Sequence, residues 1–193
     1  MKNIDSLVSD TGMLTLSDAK RAGVEKNHFY RYVKENELER VAHGIYAVKD
    51  SWVDDLYILH QRCPQGVFSH EESLFHHNLT DREPTQHVLT IYTGYNTKRL
   101  TESGCQIYTV KRELLEVGKI KGMDSYGNEI PVYDLERTIC DIIRSRSKME
   151  AQDITQALKS YVKRKDKDLN RLMVYAKMFR VDRIVRNYME VLL

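Results

Sequence analysis

The sequence predicts an α+β chain: an N-terminal segment of short helices and a hairpin, then a mixed α/β region that ends in a helical bundle. Three observations predict it. Apolar residues recur at helical spacing near both ends of the chain. Short β-branched and aromatic runs bounded by glycine occupy the middle. The charge also changes sign along the chain, with a net of 0 over residues 1–50, −5 over 51–143 and +7 over 144–193. With 41% hydrophobic and 30% charged residues, there is ample apolar material for a core. No run of ~18 apolar residues exists to span a bilayer. The first residues lack the basic and apolar regions of a secretory leader. The three cysteines, Cys63, Cys105 and Cys140, are too far apart to suggest a disulfide framework or a zinc knuckle. The expected location is the reducing cytoplasm.

Each N-terminal element follows from local chemistry. Ile4, Leu7 and Val8 have i, i+3, i+4 spacing, so a helix is expected to end at Gly12. Leu14 to Leu16 reads as a short extended connection, and Ser17 as the N-cap of a helix through Asp18–Ala22. Gly23 supplies a tight turn, and Glu25–Asn36 is the next helix, with Phe29 and Val33 on its inner side. Leu38–Val41, a turn at Ala42-His43-Gly44 and Ile45–Val48 form a hairpin. This order is that of a winged helix-turn-helix over residues 1–49. A second domain is expected over residues 50–193, mixed α/β to about residue 143 and basic helices over 144–193, with the boundary near Lys49–Trp52.

A helix-turn-helix sets its second helix in the major groove, which requires one apolar and one polar face. At ~100° per residue Phe29 and Val33 lie within ~40° of each other, and Asn27, Tyr30, Arg31 and Lys34 fall opposite. Arg31 suits a guanine edge and Asn27 an adenine edge, while Tyr30 and Lys34 can reach phosphates or bases. Lys26, Ser17, Lys20 and Arg21 are candidates for the phosphate backbone, and Arg40 and His43 on the hairpin for the minor groove. Glu25, Glu35, Glu37 and Glu39 offset the local positive field. Affinity is therefore expected to need paired half-sites or a contribution from elsewhere in the chain.

In the second part, helices are expected over Asp54–Arg62 and Glu71–His77, and strands over Val88–Tyr92 and Ile107–Val110. A glycine-rich hairpin follows, with its tip at Tyr126-Gly127-Asn128. Asp134 then caps a helix with an apolar stripe of Leu135, Ile139, Ile142 and Ile143. Three helices close the chain, on the faces Ile154–Val162, Leu169–Ala176 and Val181–Leu192, the last of them the longest. Arg137 and Asp141, four apart, read as a surface pair. His70 and His77 could share a helix face, yet His70-Glu71-Glu72-Ser73-Leu74 does not match the H-E-x-x-H zinc pattern. No metal site, cofactor or catalytic constellation is expected, because phosphate-binding, dinucleotide and nucleophile-elbow motifs are missing. The basic tail, with Lys159, Lys163, Arg164, Lys165, Lys167 and Arg171 and then Lys177, Arg180, Arg183 and Arg186, suits an anionic partner or a plain solvated face equally well.

The stretch Leu38-Glu39-Arg40-Val41-Ala42-His43-Gly44-Ile45-Tyr46 resembles the wing of AbiEi-type antitoxins. Phe68–Leu74 with His77-Asn78-Leu79, and Ile130–Asp141, resemble that family's later landmarks in the same order. The resemblance implies an antitoxin of a type IV toxin–antitoxin system linked to abortive phage infection. Its winged domain would repress its own operon at operator DNA with inverted repeats. Its C-terminal antitoxin domain would oppose a nucleotidyltransferase-like toxin without a required stable complex, with the basic tail as the candidate surface. The residues alone also allow a free-standing transcription factor whose second domain senses a ligand or mediates assembly.

Overall fold

The computed structural model describes residues 4–8, 12–49 and 54–193. The boundary expected at Lys49–Trp52 therefore falls largely outside the described residues. The chain divides into two units, residues 1–64 with 123–128 and residues 65–122 with 129–193.

In the first unit Ile4–Leu7 forms a single 3-10 turn among the described residues, shorter than the helix expected there. Met13–Thr15 is strand β1, and helix α1 is Leu16–Arg21. Two expectations change here. The stretch read as a connection pairs as a strand, and Thr15 rather than Ser17 is the N-cap. Thr15 is extended, and its Oγ1 accepts from the Asp18 amide at 3.0 Å, whereas Ser17 already lies in the first turn. Helix α2, Lys26–Glu35, and strands β2, Glu39–Ala42, and β3, Ile45–Ala47, follow the expected order. Gly44 takes φ +73° at the hairpin turn, where a side chain would be strained.

Strand β3 is central, antiparallel to both neighbours, with Leu14 opposite Tyr46 and Arg40 opposite Tyr46 on the other side. Because side chains alternate along a strand, the sheet feeds two small cores. Leu14, Ala19, Phe29 and Val33 fill one. Met13, Ile45 and Ala47 fill the other against Ile58 of helix α3, Asp55–Arg62. Asp54 caps α3 by accepting from the Tyr57 amide, and Asn128 Nδ2 donates to its second oxygen at 2.7 Å. Burial, with the neighbouring Asp54, pushes the Asp124 carboxyl up to about 6.

The second unit is built on a five-stranded sheet. Its strands are β4 Val67–Phe68, β5 Val88–Tyr92, β6 Gln106–Val110, β7 Lys119–Met123 and β8 Glu129–Tyr133, in the order β6-β5-β4-β8-β7. The pairs β5–β6 and β4–β8 are parallel, and β4–β5 is antiparallel. Helix α4, Glu71–His76, follows β4, while the short helices α5, Lys98–Glu102, and α6, Arg112–Leu115, lie on either side of β6 in sequence. Helix α7, Leu135–Arg144, carries the expected Asp134 cap. Helices α8 Ala151–Lys163, α9 Leu169–Met178 and α10 Asp182–Leu192 then share one apolar core with α7. The longest of the three closing helices is α8 rather than α10. Tyr188, within the Val181–Leu192 apolar face expected from spacing, is exposed.

The largest correction concerns α7. All nine residues from Leu135 to Ile143 are buried, so the helix has no outer face. Arg137 and Asp141 are each 0% exposed and pair at 2.9 Å in the interior, not on the surface. The Arg137 guanidinium lies 3.9 Å and 4.0 Å from the ring centroids of Tyr133 and Phe179. It also donates to the carbonyls of Leu114 and Val117. Carboxylate, carbonyls and ring faces there take the place of water around the guanidinium.

Candidate nucleic-acid interface

The helix pair of the first unit owes its geometry to one turn. The amides of Gly23 and Val24 donate to the carbonyls of Lys20 and Ala19, and Gly23 takes φ +80°. This is a Schellman ending, which stops α1 and turns the chain within two residues toward α2. Phe29 and Val33 then enter the core. Asn27, Tyr30, Arg31 and Lys34 stay exposed on the same helix, so the structure brings the four residues onto one solvent-facing side.

Tyr30 is held by neighbours that spacing alone did not identify. Its ring is edge-on to Phe29 at 5.4 Å and to Tyr46 at 6.2 Å, and Lys26 Nζ lies 5.9 Å from its centroid. The signal in the sequence was an aromatic two residues after the hairpin glycine, on the face of β3 toward α2. Burial and Tyr30 push the Tyr46 phenol up, so it stays an uncharged donor. Arg31 is 67% exposed and meets Glu35 at 3.9 Å, a solvated pair that yields readily to a better acceptor.

The remaining candidates differ in their freedom. Lys20 and Lys34 are exposed, and Arg21 is held by the Asp18 carboxylate. Ser17 Oγ donates to Gln61 Oε1 at 3.2 Å. On the hairpin, Arg40 donates to the Ala42 carbonyl at 3.3 Å and to His43 Nδ1 at 3.0 Å, which fixes both side chains beside the turn.

The basic tail coats the outside of the helical bundle. Arg164 clamps Asp166 and donates to the His77 carbonyl, Lys167 donates to the Arg164 carbonyl, and Arg171 lies near Glu136 and Asp168. Lys159, Lys163, Lys165, Lys177, Arg180, Arg183 and Arg186 are exposed and meet no carboxylate among the described residues. The histidines do not converge. His70 is fully buried between Ser69 Oγ at 3.0 Å and Ser145 Oγ at 2.9 Å, stacked on Tyr108, while His77 Nε2 donates to the Tyr133 carbonyl. Burial holds His70 well below its ordinary range. Among the described residues no group of His, Cys, Asp or Glu is arranged to hold a metal ion. No helix among them is long and apolar enough to cross a membrane.

The first unit thus presents a helix pair with a polar second helix, followed by a hairpin. Residues 3–49 match the family model of a transcriptional regulator, AbiEi antitoxin. No curated protein matches the chain. Among solved structures, the chain is similar in fold to the RV2827C protein from Mycobacterium tuberculosis, at a TM-score of 0.58 and 13% identity. That likeness covers 90% of this chain and 69% of the other. The family match covers the N-terminal segment alone, and the structural likeness is one of fold alone.

Proposed function

We propose that the chain is an autoregulating antitoxin whose residues 1–49 act as a winged helix-turn-helix on operator DNA. The observation that carries this is the exposed Asn27, Tyr30, Arg31 and Lys34 side of α2 directly opposite buried Phe29 and Val33. In this reading Arg31 and Asn27 read base edges, Tyr30 and Lys34 contact bases or phosphates, and Lys26, Ser17, Lys20 and Arg21 contact the backbone. Arg40 and His43, braced against each other, enter the minor groove beside it. The C-terminal unit then opposes a nucleotidyltransferase-like toxin, with the basic residues of the tail from Lys159 to Arg186 as its surface. Inverted operator repeats supply the affinity that a segment of nearly balanced charge lacks.

The test is a gel-shift on the DNA upstream of the chain's own gene. Arg31→Ala is expected to cost ~1–3 kcal/mol of specific binding and to leave non-specific binding nearly unchanged. An unaltered shift would remove Arg31 from the interface.

A further inference from the structure

The sheet of the second unit ends on strand β6 at one side and on β7 at the other. Among the described residues β6 pairs with β5 alone, in parallel register from Val88 opposite Gln106 to Tyr92 opposite Val110. In such a ladder alternate residues bond to the neighbouring strand, and those between them turn amide and carbonyl away. The Gln106 amide donates to the His87 carbonyl, and the Val110 carbonyl accepts from the Thr93 amide, each at 2.8 Å. Gln106, Tyr108 and Val110 therefore face β5. The amides and carbonyls of Ile107 and Thr109 point outward, and no hydrogen bond among the described residues takes them up.

The two edges are built differently. Strand β7, Lys119-Ile120-Lys121-Gly122-Met123, carries lysines, and a second β7 laid antiparallel about Lys121 would set lysine against lysine. Strand β6, Gln106-Ile107-Tyr108-Thr109-Val110, has no charge, proline or glycine, and Thr109 is exposed. It lacks the usual guards against pairing.

Strand β6 is also complementary to itself. A two-fold axis at Tyr108 puts Ile107 opposite Thr109 of a second copy and Gln106 opposite Val110. Lys111 falls beyond the strand, opposite Cys105, so no like charges meet. Because Ile107 and Thr109 both present outward groups, each such pair exchanges both of its hydrogen bonds. A register moved by one residue sets an outward residue against an inward one and loses them.

We propose that β6 is a self-association edge, through which two copies of the chain pair antiparallel and join their sheets into one. All of β6 lies in the second unit, so the pairing goes beyond the operator reading and does not rest on it. It supplies the two copies that inverted repeats would engage.

Sedimentation velocity of the full chain without DNA tests it. A monomer–dimer equilibrium is expected, with dimer dominant by about 100 µM. Thr109→Pro removes an amide that the chain's own sheet does not use, so the fold is retained and self-association weakens at least ~10-fold. Thr109→Lys, a charge placed on the exposed edge, is the second variant and should act in the same direction. Arg31→Ala should dimerise like the unaltered chain, which keeps a failed gel-shift and a failed dimer apart. A chain that stays monomeric up to about 100 µM overturns the proposal. So does a dimer that both Thr109 variants leave unchanged, since another surface then joins the copies.

Discussion

Arg137 shows how far the environment of a single residue decides its role. On a surface helix, an Arg–Asp pair four apart contributes a few tenths of a kcal/mol. With both partners at 0% exposure, removing one leaves the other charged in the interior. Arg137→Ala is therefore expected to destabilise by ~3–5 kcal/mol in urea unfolding. Replacing the pair together, Arg137→Met with Asp141→Leu, should cost less than the single truncation, because the only charge that loses a partner is then Arg144, which meets Asp141 at 3.3 Å but is partly exposed to water. Gly118 belongs to the same site. It has φ +75°, and a Cβ there would stand 2.5 Å from the Arg137 Cβ. Gly118→Ala should thus destabilise by at least ~2 kcal/mol, from left-handed strain and overpacking together.

At the scale of elements, one helix ending recurs. Besides α1, helices α2, α4, α5 and α9 stop on paired Schellman hydrogen bonds, with Glu37, Asn78, Gly104 and Arg180 in the left-handed position. Glycine is the expected residue there, and Gly23 and Gly104 conform. Glu37 and Arg180 adopt φ of +51° and +58° and so carry strain. Glu37→Gly and Arg180→Gly are each expected to stabilise by about 0.5–1 kcal/mol, read as a raised Tm, without shifting a helix boundary. The Arg180→Gly variant has a second use. It removes a charge from the proposed antitoxin surface while easing the backbone, so a loss of toxin neutralisation with raised Tm would separate function from stability.

For the molecule as a whole, pH acts chiefly through the second unit. Burial lowers His70, His76 and His77 from the ordinary 6.5, so the unfolded chain binds protons more readily than the folded one. Their stabilising contribution is present above about pH 6.5 and is lost as the pH falls below it. Asp124 acts with the opposite sign. Its carboxyl, raised to about 6, favours the folded state as the pH falls through 6. Burial raises the Glu71 and Asp141 carboxyls as well, so carboxyls and histidines oppose each other, and the histidine part is read by replacement: the Tm at about pH 5.5 relative to that at about pH 7.5 should be higher in His70→Asn than in the unaltered chain. The two proposed functions should also separate. Arg31→Ala is expected to release repression while leaving toxin neutralisation intact, measured by a reporter and by co-expression with the toxin.

Local pattern made much of this legible. The spacing of Phe29 and Val33 placed the polar side of α2, and Gly23 and Gly44 marked the two turns, because these features depend on residues within one or two turns of chain. Asp134 was recognisable as a cap for the same reason. Contacts distant in sequence escaped it. Strand β1 forms only because Met13–Thr15 finds β3 some thirty residues later, and Tyr30 is steadied by Tyr46. The sequence by itself determined the order of the helix pair, hairpin, mixed region and closing bundle, since periodicity and turn chemistry are local. Only the tertiary structure decided which polar residues are interior. Burial depends on what packs from every side, and a helix such as α7, enclosed all round, has the same repeat as one on the surface.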